Sequence, residues 1–312
     1  MADGGTSPAT ASVPIRTVAV IGAGTMGWQI GLQCATHGLV AQLTDISPAA
    51  VERALRQAGE KLDEWVDAGK LRVKERADAL KRLRPAGDLL SAVEGVDLVI
   101  EAIVEEVPAK RALFAELDRL CPRRVILATN SSSIRSRLLA DATGRPDKVL
   151  NLHFLRRPWD RPVLEIMSCG QTSEETLAAG AAFARQLGLV PIHVRKEATG
   201  YVYNRLWRAL KKEALYMARE GIAPIEDIDR AFMLGMGAPA GPFMLMDQVG
   251  LDVTLDIERQ WYTESGDERD RPPAFLEEWV REGRLGVKSG HGFYRYPDPP
   301  FERPNWLKAN DE

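Results

Sequence analysis

Thr17-Val18-Ala19-Val20-Ile21-Gly22-Ala23-Gly24-Thr25-Met26-Gly27 is the stretch that decides how this chain folds. Its first five residues form a short, mostly apolar run, typical of a strand buried on both faces. A glycine-rich turn follows, and helical spacing then runs to about His37, where Gly38 takes a C-cap position. Gly22 and Gly24 permit a tight turn and let an anion approach the helix N-terminus, where free N–H groups and the helix dipole favour negative charge. Gly27 lets the helix pack closely on the strand.

The next strand, Val40 to Thr44, ends at Asp45, an acid about 20 residues beyond the turn. Strand, glycine turn, helix and acid together form a dinucleotide fingerprint. The Asp45 carboxylate suits a ribose 2′-hydroxyl and would repel a 2′-phosphate, so the spacing favours NAD over NADP. The other reading of the same residues is a glycine turn with a capping aspartate.

Further along, Val51 to Leu83 reads as a charged helix pair broken near Gly69. Strands are expected at Leu98–Ile103, Val125–Thr129, Lys148–Phe154, Val163–Met167 and Val190–Val194, with helices from about Pro108 and over Ala178–Leu187. Pro158 and Pro162 argue against a helix between the two strands they separate. Alternating strands and helices imply an α/β protein with a Rossmann-type doubly wound, mostly parallel sheet. From Gly200 the pattern becomes helical, so an all-α C-terminal domain is expected. The expected division is a disordered leader over 1–14, rich in Gly, Ser, Thr, Pro and Ala, a nucleotide-binding domain over 15–198 and a helical domain over 199–312.

Composition narrows the class. The 312 residues carry 41 basic and 44 acidic side chains, without the basic excess of a nucleic-acid platform. No apolar run approaches the ~18–20 residues that span a bilayer; Val96 to Val104 is interrupted by Asp97 and Glu101. Cys34, Cys121 and Cys169 are odd in number and widely spaced, indicating neither a disulfide framework nor a zinc cluster, and no metal is expected. The N-terminus lacks a basic region followed by an apolar core, so a cytoplasmic protein with no membrane partner is expected.

His153 ends one predicted strand, and Glu165 lies within the next. A hairpin-like return would bring them together. Oxidation of a hydroxyl to a ketone needs a base for the O–H proton while hydride leaves carbon, and histidine titrates near working pH. A carboxylate on its other nitrogen would fix the tautomer and stabilise the imidazolium. A lone His–Glu pair is also a common structural contact, and the pair by itself does not decide between these.

With these motifs the chain resembles the L-3-hydroxyacyl-CoA dehydrogenase family, including bacterial 3-hydroxybutyryl-CoA dehydrogenases. The resemblance runs from about Thr17 to Tyr296. It rests on Val20 to Gly27, Glu101-Ala102-Ile103-Val104-Glu105, Asn130-Ser131-Ser132-Ser133, His153-Phe154 and Gly200-Tyr201-Val202-Tyr203-Asn204-Arg205. It continues through Gly241-Pro242-Phe243, Asp247 to Asp252 and Lys288 to Tyr294. It implies NAD-dependent oxidation of an L-3-hydroxyacyl thioester, with His153 as general base and Glu165 orienting it. Ser132 and Asn204 would hydrogen-bond the reacting oxygen region, although both residue types also serve as helix caps. Glu105 and Lys110 would line the cofactor cleft with Asn130, beside the Gly22, Gly24, Thr25, Met26, Gly27 and Asp45 fingerprint. The helical domain would dimerise and close the acyl site. The charged helix pair stands where the family contacts CoA, so Lys61 and Lys70 are candidates for its phosphates or simply part of a solvated face.

One departure stands out. The family continues His-Phe with Phe-Asn-Pro, whereas this chain reads Leu155-Arg156-Arg157-Pro158-Trp159-Asp160-Arg161-Pro162. Arg156 and Arg157 either clamp an anionic group of the substrate, since guanidinium matches carboxylates bidentately, or belong to a solvated loop paired with Asp160. That keeps two alternatives open: a free hydroxy acid or a carrier-protein-bound hydroxyacyl substrate. A non-catalytic NAD-binding relative is a third, disfavoured by the joint presence of His153, Glu165, Ser132 and Asn204.

Overall fold

The computed structural model describes residues 14–308, so nearly all of the expected leader lies outside the described residues. The chain forms two compact units, the first ending at Val202 and the second beginning at Tyr203.

The first unit runs β1 (Thr17–Ile21), α1 (Thr25–Thr36), β2 (Val40–Thr44), α2 (Pro48–Asp67), α3 (Val73–Arg82), β3 (Leu83–Pro85), α4 (Leu89–Ala92), β4 (Leu98–Glu101), α5 (Val107–Leu120), β5 (Ile126–Thr129), α6 (Arg137–Ala140), β6 (Val149–Phe154), β7 (Val163–Ser168), α7 (Glu174–Gln186) and β8 (Val190–Val194). The eight strands form one sheet in the order β3-β2-β1-β4-β5-β6-β7-β8. Every pairing is parallel except β6 with β7, which is antiparallel. The reading as a doubly wound, mostly parallel sheet therefore holds.

Strand periodicity of two distributes side chains to both faces. Val18, Val20, Leu98, Ile100, Leu150, Leu152 and Phe154 join the core formed with α1, α2 and α7. Ala19, Ile21, Val99, Leu127 and Val149 join the core formed with α4, α5 and α6. Both faces are covered, which is why these strands read as apolar runs rather than as alternating ones. The sequence reading missed β3, whose three residues follow directly on a charged helix. It pairs Ala41 with Leu83 and Leu43 with Pro85 along the edge of β2. Strand order reverses between β1 and β4, the switch point where open α/β sheets place ligands at the carboxyl ends of the strands.

The second unit comprises α8 (Tyr203–Arg219), α9 (Ile225–Met236), α10 (Pro242–Val249), α11 (Leu251–Ser265) and α12 (Ala274–Arg281), with short 3-10 turns between and after them. Leu215, Phe243, Met246, Leu255 and Leu276 form its core. Two buried carboxylates organise it. Asp229 accepts the N–H groups of Phe243 and Met244 at 2.9 and 3.2 Å and the Tyr294 hydroxyl at 2.8 Å, which caps α10. Asp247 accepts the N–H groups of Phe293 and Tyr294 at 2.8 and 2.9 Å, tying down the C-terminal segment. Among the described residues, no helix is long and apolar enough to cross a membrane.

Candidate functional site

The glycine turn lies at the switch point. Gly22 has φ +103°, and a Cβ there would meet the Ala102 carbonyl oxygen at 2.5 Å, so the turn following β1 presses against the segment following β4. A Cβ on Gly27 would fall 1.7 Å from the Gly22 carbonyl oxygen, as close helix–strand packing demands. Gly24, by contrast, faces open space. It is the N-cap of α1, no side chain caps that end, and no acidic residue stands in the first turn. The first turn of α1, with Thr25 and Met26, therefore offers backbone donors to an anion, the environment a dinucleotide pyrophosphate requires. Asp45, at the end of β2, accepts the N–H of Ala23 at 2.8 Å with one oxygen and that of Ser47 at 2.9 Å with the other. It braces the turn while its half-buried carboxylate stays partly open to solvent.

The residues after β4 and β5 meet through a charged network. Lys110, buried on α5, donates to Glu101 at 2.5 Å and lies 3.2 Å from Glu105. Glu101, fully buried at the end of β4, also accepts the Thr129 hydroxyl at 2.7 Å and the N–H of Ile103 at 2.7 Å. Glu105 accepts the hydroxyls of Ser131 and Ser133, the latter at 2.7 Å. Partial burial pushes its carboxyl up, but these hydroxyls and the Lys110 ammonium outweigh it and hold the group below its ordinary value. Glu105 thus shapes the turn that presents the exposed Ser132. Asn130 is buried, and its side-chain carbonyl accepts the N–H of Phe154 at 2.9 Å, tying the end of β5 to the end of β6.

His153 and Glu165 face each other directly in the antiparallel register of β6 and β7. Both are buried, and His153 Nδ1 lies 2.7 Å from Glu165 Oε2. The carboxylate fixes the proton on Nδ1 and leaves Nε2 as the free acceptor. Three residues that were not singled out complete the surroundings. Tyr201 stacks on the imidazole with ring centroids 4.5 Å apart and planes 10° from parallel. Asn151, buried on the same face of β6 as His153, donates to the Tyr201 hydroxyl at 2.7 Å. Glu101 anchors Lys110. Asn151 and Glu101 carried a signal, since each is a polar residue inside an apolar strand and demands a partner when buried.

The loop between β6 and β7 is pinned rather than loose. Trp159 packs between Trp28 of α1 and Trp65 of α2, with centroids 5.7 and 5.3 Å away. Arg157, at φ +58°, donates its N–H to Gln29 at 2.6 Å, and its guanidinium pairs with Asp160 at 2.6 Å. Arg156 and Arg161 are exposed. Lys61 donates to both oxygens of Glu64, at 2.6 and 2.7 Å, and lies over the Trp65 and Trp159 rings, so its charge is engaged within the chain. Asn204 lies in the first turn of α8 in the second unit, half-buried. No group of three His, Cys, Asp or Glu side chains among the described residues is arranged to hold a metal ion.

The 3-hydroxyacyl-CoA dehydrogenase NAD binding domain model matches residues 17–198, and the C-terminal domain model of the same family matches residues 200–296. A probable 3-hydroxybutyryl-CoA dehydrogenase of Bacillus subtilis is 36% identical over 284 residues, which cover 91% of this chain and 98% of that protein. The mitochondrial hydroxyacyl-coenzyme A dehydrogenase of Homo sapiens is 35% identical over 299 residues, covering 93% of this chain and 94% of that protein. The crystal structure of (S)-3-hydroxybutyryl-CoA dehydrogenase from Ralstonia eutropha matches with a TM-score of 0.84 at 37% identity, covering 91% of this chain and all of that one (100%). The chain belongs to the 3-hydroxyacyl-CoA dehydrogenase family and is an NAD-dependent oxidoreductase acting on a secondary alcohol.

Proposed function

We propose that the chain reversibly oxidises an L-3-hydroxyacyl-CoA thioester to its 3-ketoacyl form, with His153 as general base oriented by Glu165. The observation that carries this reading is the direct cross-strand pairing of the two buried side chains at 2.7 Å. NAD, when bound, would supply the hydride acceptor for the carbinol carbon. His153 Nε2 takes the hydroxyl proton, and Glu165 keeps the imidazole in the required tautomer and stabilises its charged form. Ser132 and Asn204 hydrogen-bond the reacting oxygen, polarising it as it becomes a carbonyl. Gly22, Gly24, Thr25, Met26 and Gly27 would hold the pyrophosphate and Asp45 the adenosine ribose, and Glu105, Lys110 and Asn130 would line the cofactor cleft.

A second reading concerns the acyl group rather than the reaction. With Arg157 neutralised by Asp160 and the loop pinned by Trp159, Arg156 is left exposed with its charge free of that pair. It would suit a free hydroxy acid, or an acyl group held by a carrier protein, through an anionic contact. Lys61 is a weaker candidate for a CoA phosphate, since Glu64 competes for it. The protein is further proposed to act in the cytoplasm as a homodimer formed through residues 199–312. Exposed Leu206, Ile222, Leu234 and Met236 in the helical unit support that pairing, which sedimentation at micromolar concentration tests.

NADH consumption with acetoacetyl-CoA, and NADH formation with 3-hydroxyacyl-CoAs and free 3-hydroxy acids, test the substrate class. Turnover of the CoA thioesters is expected. Turnover of free acids alone would sink the thioester reading, and full activity in His153→Ala would refute the proposed base.

A further inference from the structure

Tyr201 is a bulky residue at φ +51°, a conformation that side chains with a Cβ rarely adopt, and it is almost completely buried. Backbone held this way persists where surrounding contacts over-determine it, and the contacts here reach three parts of the site. The ring lies flat on the His153 imidazole, with centroids 4.5 Å apart. The hydroxyl donates to the Ser131 carbonyl oxygen at 2.5 Å and accepts from Asn151 Nδ2 at 2.7 Å. The next residue, Val202, donates its N–H to Glu165 Oε1 at 2.8 Å. The ring stack needs only a phenyl group, so the hydroxyl requires its own account.

That hydroxyl sits in a polar network inside the first unit. Asn151 is fully buried, and its Oδ1 accepts the N–H of Ser136 at 2.8 Å while its Nδ2 also faces the Ile134 carbonyl oxygen at 3.1 Å. Each bond therefore fixes the turn from Ser131 to Ser136 against β6. A buried network with its members satisfied selects one arrangement of its parts. Burial and the nearby charges of Glu165 and Glu105 push the phenol above its ordinary range, so it remains a donor across the working pH.

We propose that Tyr201 is a positioning residue for the dehydrogenation: its ring sets the plane of the His153 imidazole, and its hydroxyl ties that ring to the turn carrying Ser132. Base and hydroxyl donor are then held at one spacing. This rests on the roles given to His153 and Ser132 under the proposed function.

The test is a double-mutant cycle in the full-length enzyme with a 3-hydroxyacyl-CoA substrate. Tyr201→Phe keeps the stack and is expected to lower kcat by about tenfold, with the KM for NAD nearly unchanged, because a misplaced reacting group costs rate rather than cofactor binding. Ser132→Ala is expected to cost several-fold less in the Tyr201→Phe background than in the native enzyme, since neighbours acting through one arrangement are non-additive. Tyr201→Leu removes the stack as well. It should lower kcat further and abolish the ring-current shift of the His153 Cε1 proton that Tyr201→Phe retains. Native kcat in Tyr201→Phe, or an equal cost of Ser132→Ala in both backgrounds, overturns the positioning role. His153→Gln separates the layers. If it is inactive while Tyr201→Phe is native-like, the positioning proposal alone fails; if it is active, the assignment of the base fails and takes this proposal with it.

Discussion

Glu165 divides its two oxygens between His153 Nδ1 at 2.7 Å and the backbone N–H of Val202 at 2.8 Å. The carboxylate is thus held from the strand on one side and from the last residue of the first unit on the other. Glu165→Gln preserves the shape but removes the charge that stabilises an imidazolium. We expect kcat to fall by roughly 10²–10⁴-fold, as removal of an orienting carboxylate does in related acid–base arrangements. Steady-state kinetics alongside a fluorescence titration of NAD checks this, the titration being expected to move little.

Asp45 is expected to set the choice between the two nicotinamide dinucleotides. Asp45→Asn retains an acceptor for the N–H of Ala23 but loses the negative charge. The ratio of kcat/KM for NAD to that for NADP should fall at least about tenfold, corresponding to roughly 1.4 kcal/mol of lost discrimination against a 2′-phosphate. An unchanged ratio would assign Asp45 to bracing the turn alone.

Lys110 is the countercharge of a carboxylate with no exposure. Lys110→Met leaves Glu101 buried beside only the Thr129 hydroxyl and the Ile103 amide. Removing one partner of a buried pair costs about 3–5 kcal/mol, and urea unfolding should register it. The double variant Lys110→Met, Glu101→Gln should recover a substantial part, because the fully buried charge is gone and Glu105, which also loses Lys110, stays partly solvated and bonded to Ser131 and Ser133.

Asp229 gives a pH dependence of opposite sign to the usual carboxylate. Burial pushes its carboxyl up to about 6, against the bonds from Phe243, Tyr294 and Met244. The folded state therefore holds a proton that the unfolded chain releases near pH 4. Its contribution favours folding below about pH 4, declines through the window from 4 to 6, and is fully lost above it. The stability advantage of the native protein over Asp229→Asn should shrink by about 1–3 kcal/mol between pH 4 and pH 7. Chemical denaturation at the two values measures it, and a constant difference would contradict the raised value.

Much of the molecule was legible in its order of residues because the relevant physics is local. Thr17 to Gly27 announces strand, turn and helix through apolar run, glycine and cap, and Val40–Thr44 and Val190–Val194 coincide with the observed strands. The edge strand Leu83–Pro85 was not legible, since three residues carry no periodicity and it exists only because β2 offers an unpaired edge. His153 and Glu165 were legible as residue types suited to proton transfer. That they face each other follows from a register fixed by Leu150, Leu152, Leu164 and Ile166 turning to the opposite face.

The sequence by itself determined the fold class, the dinucleotide turn and the chemical vocabulary of the site, because propensity, periodicity and glycine conformation act over a few neighbouring residues. Only the tertiary structure decided the partners. Tyr201 and Ser131 are 70 positions apart, Lys110 meets Glu101 and Glu105 through the packing of α5 on β4, and Trp159 pins an arginine loop against two distant helices. Such contacts depend on where separate elements come to rest, and burial then sets how strongly each charge and hydrogen bond acts.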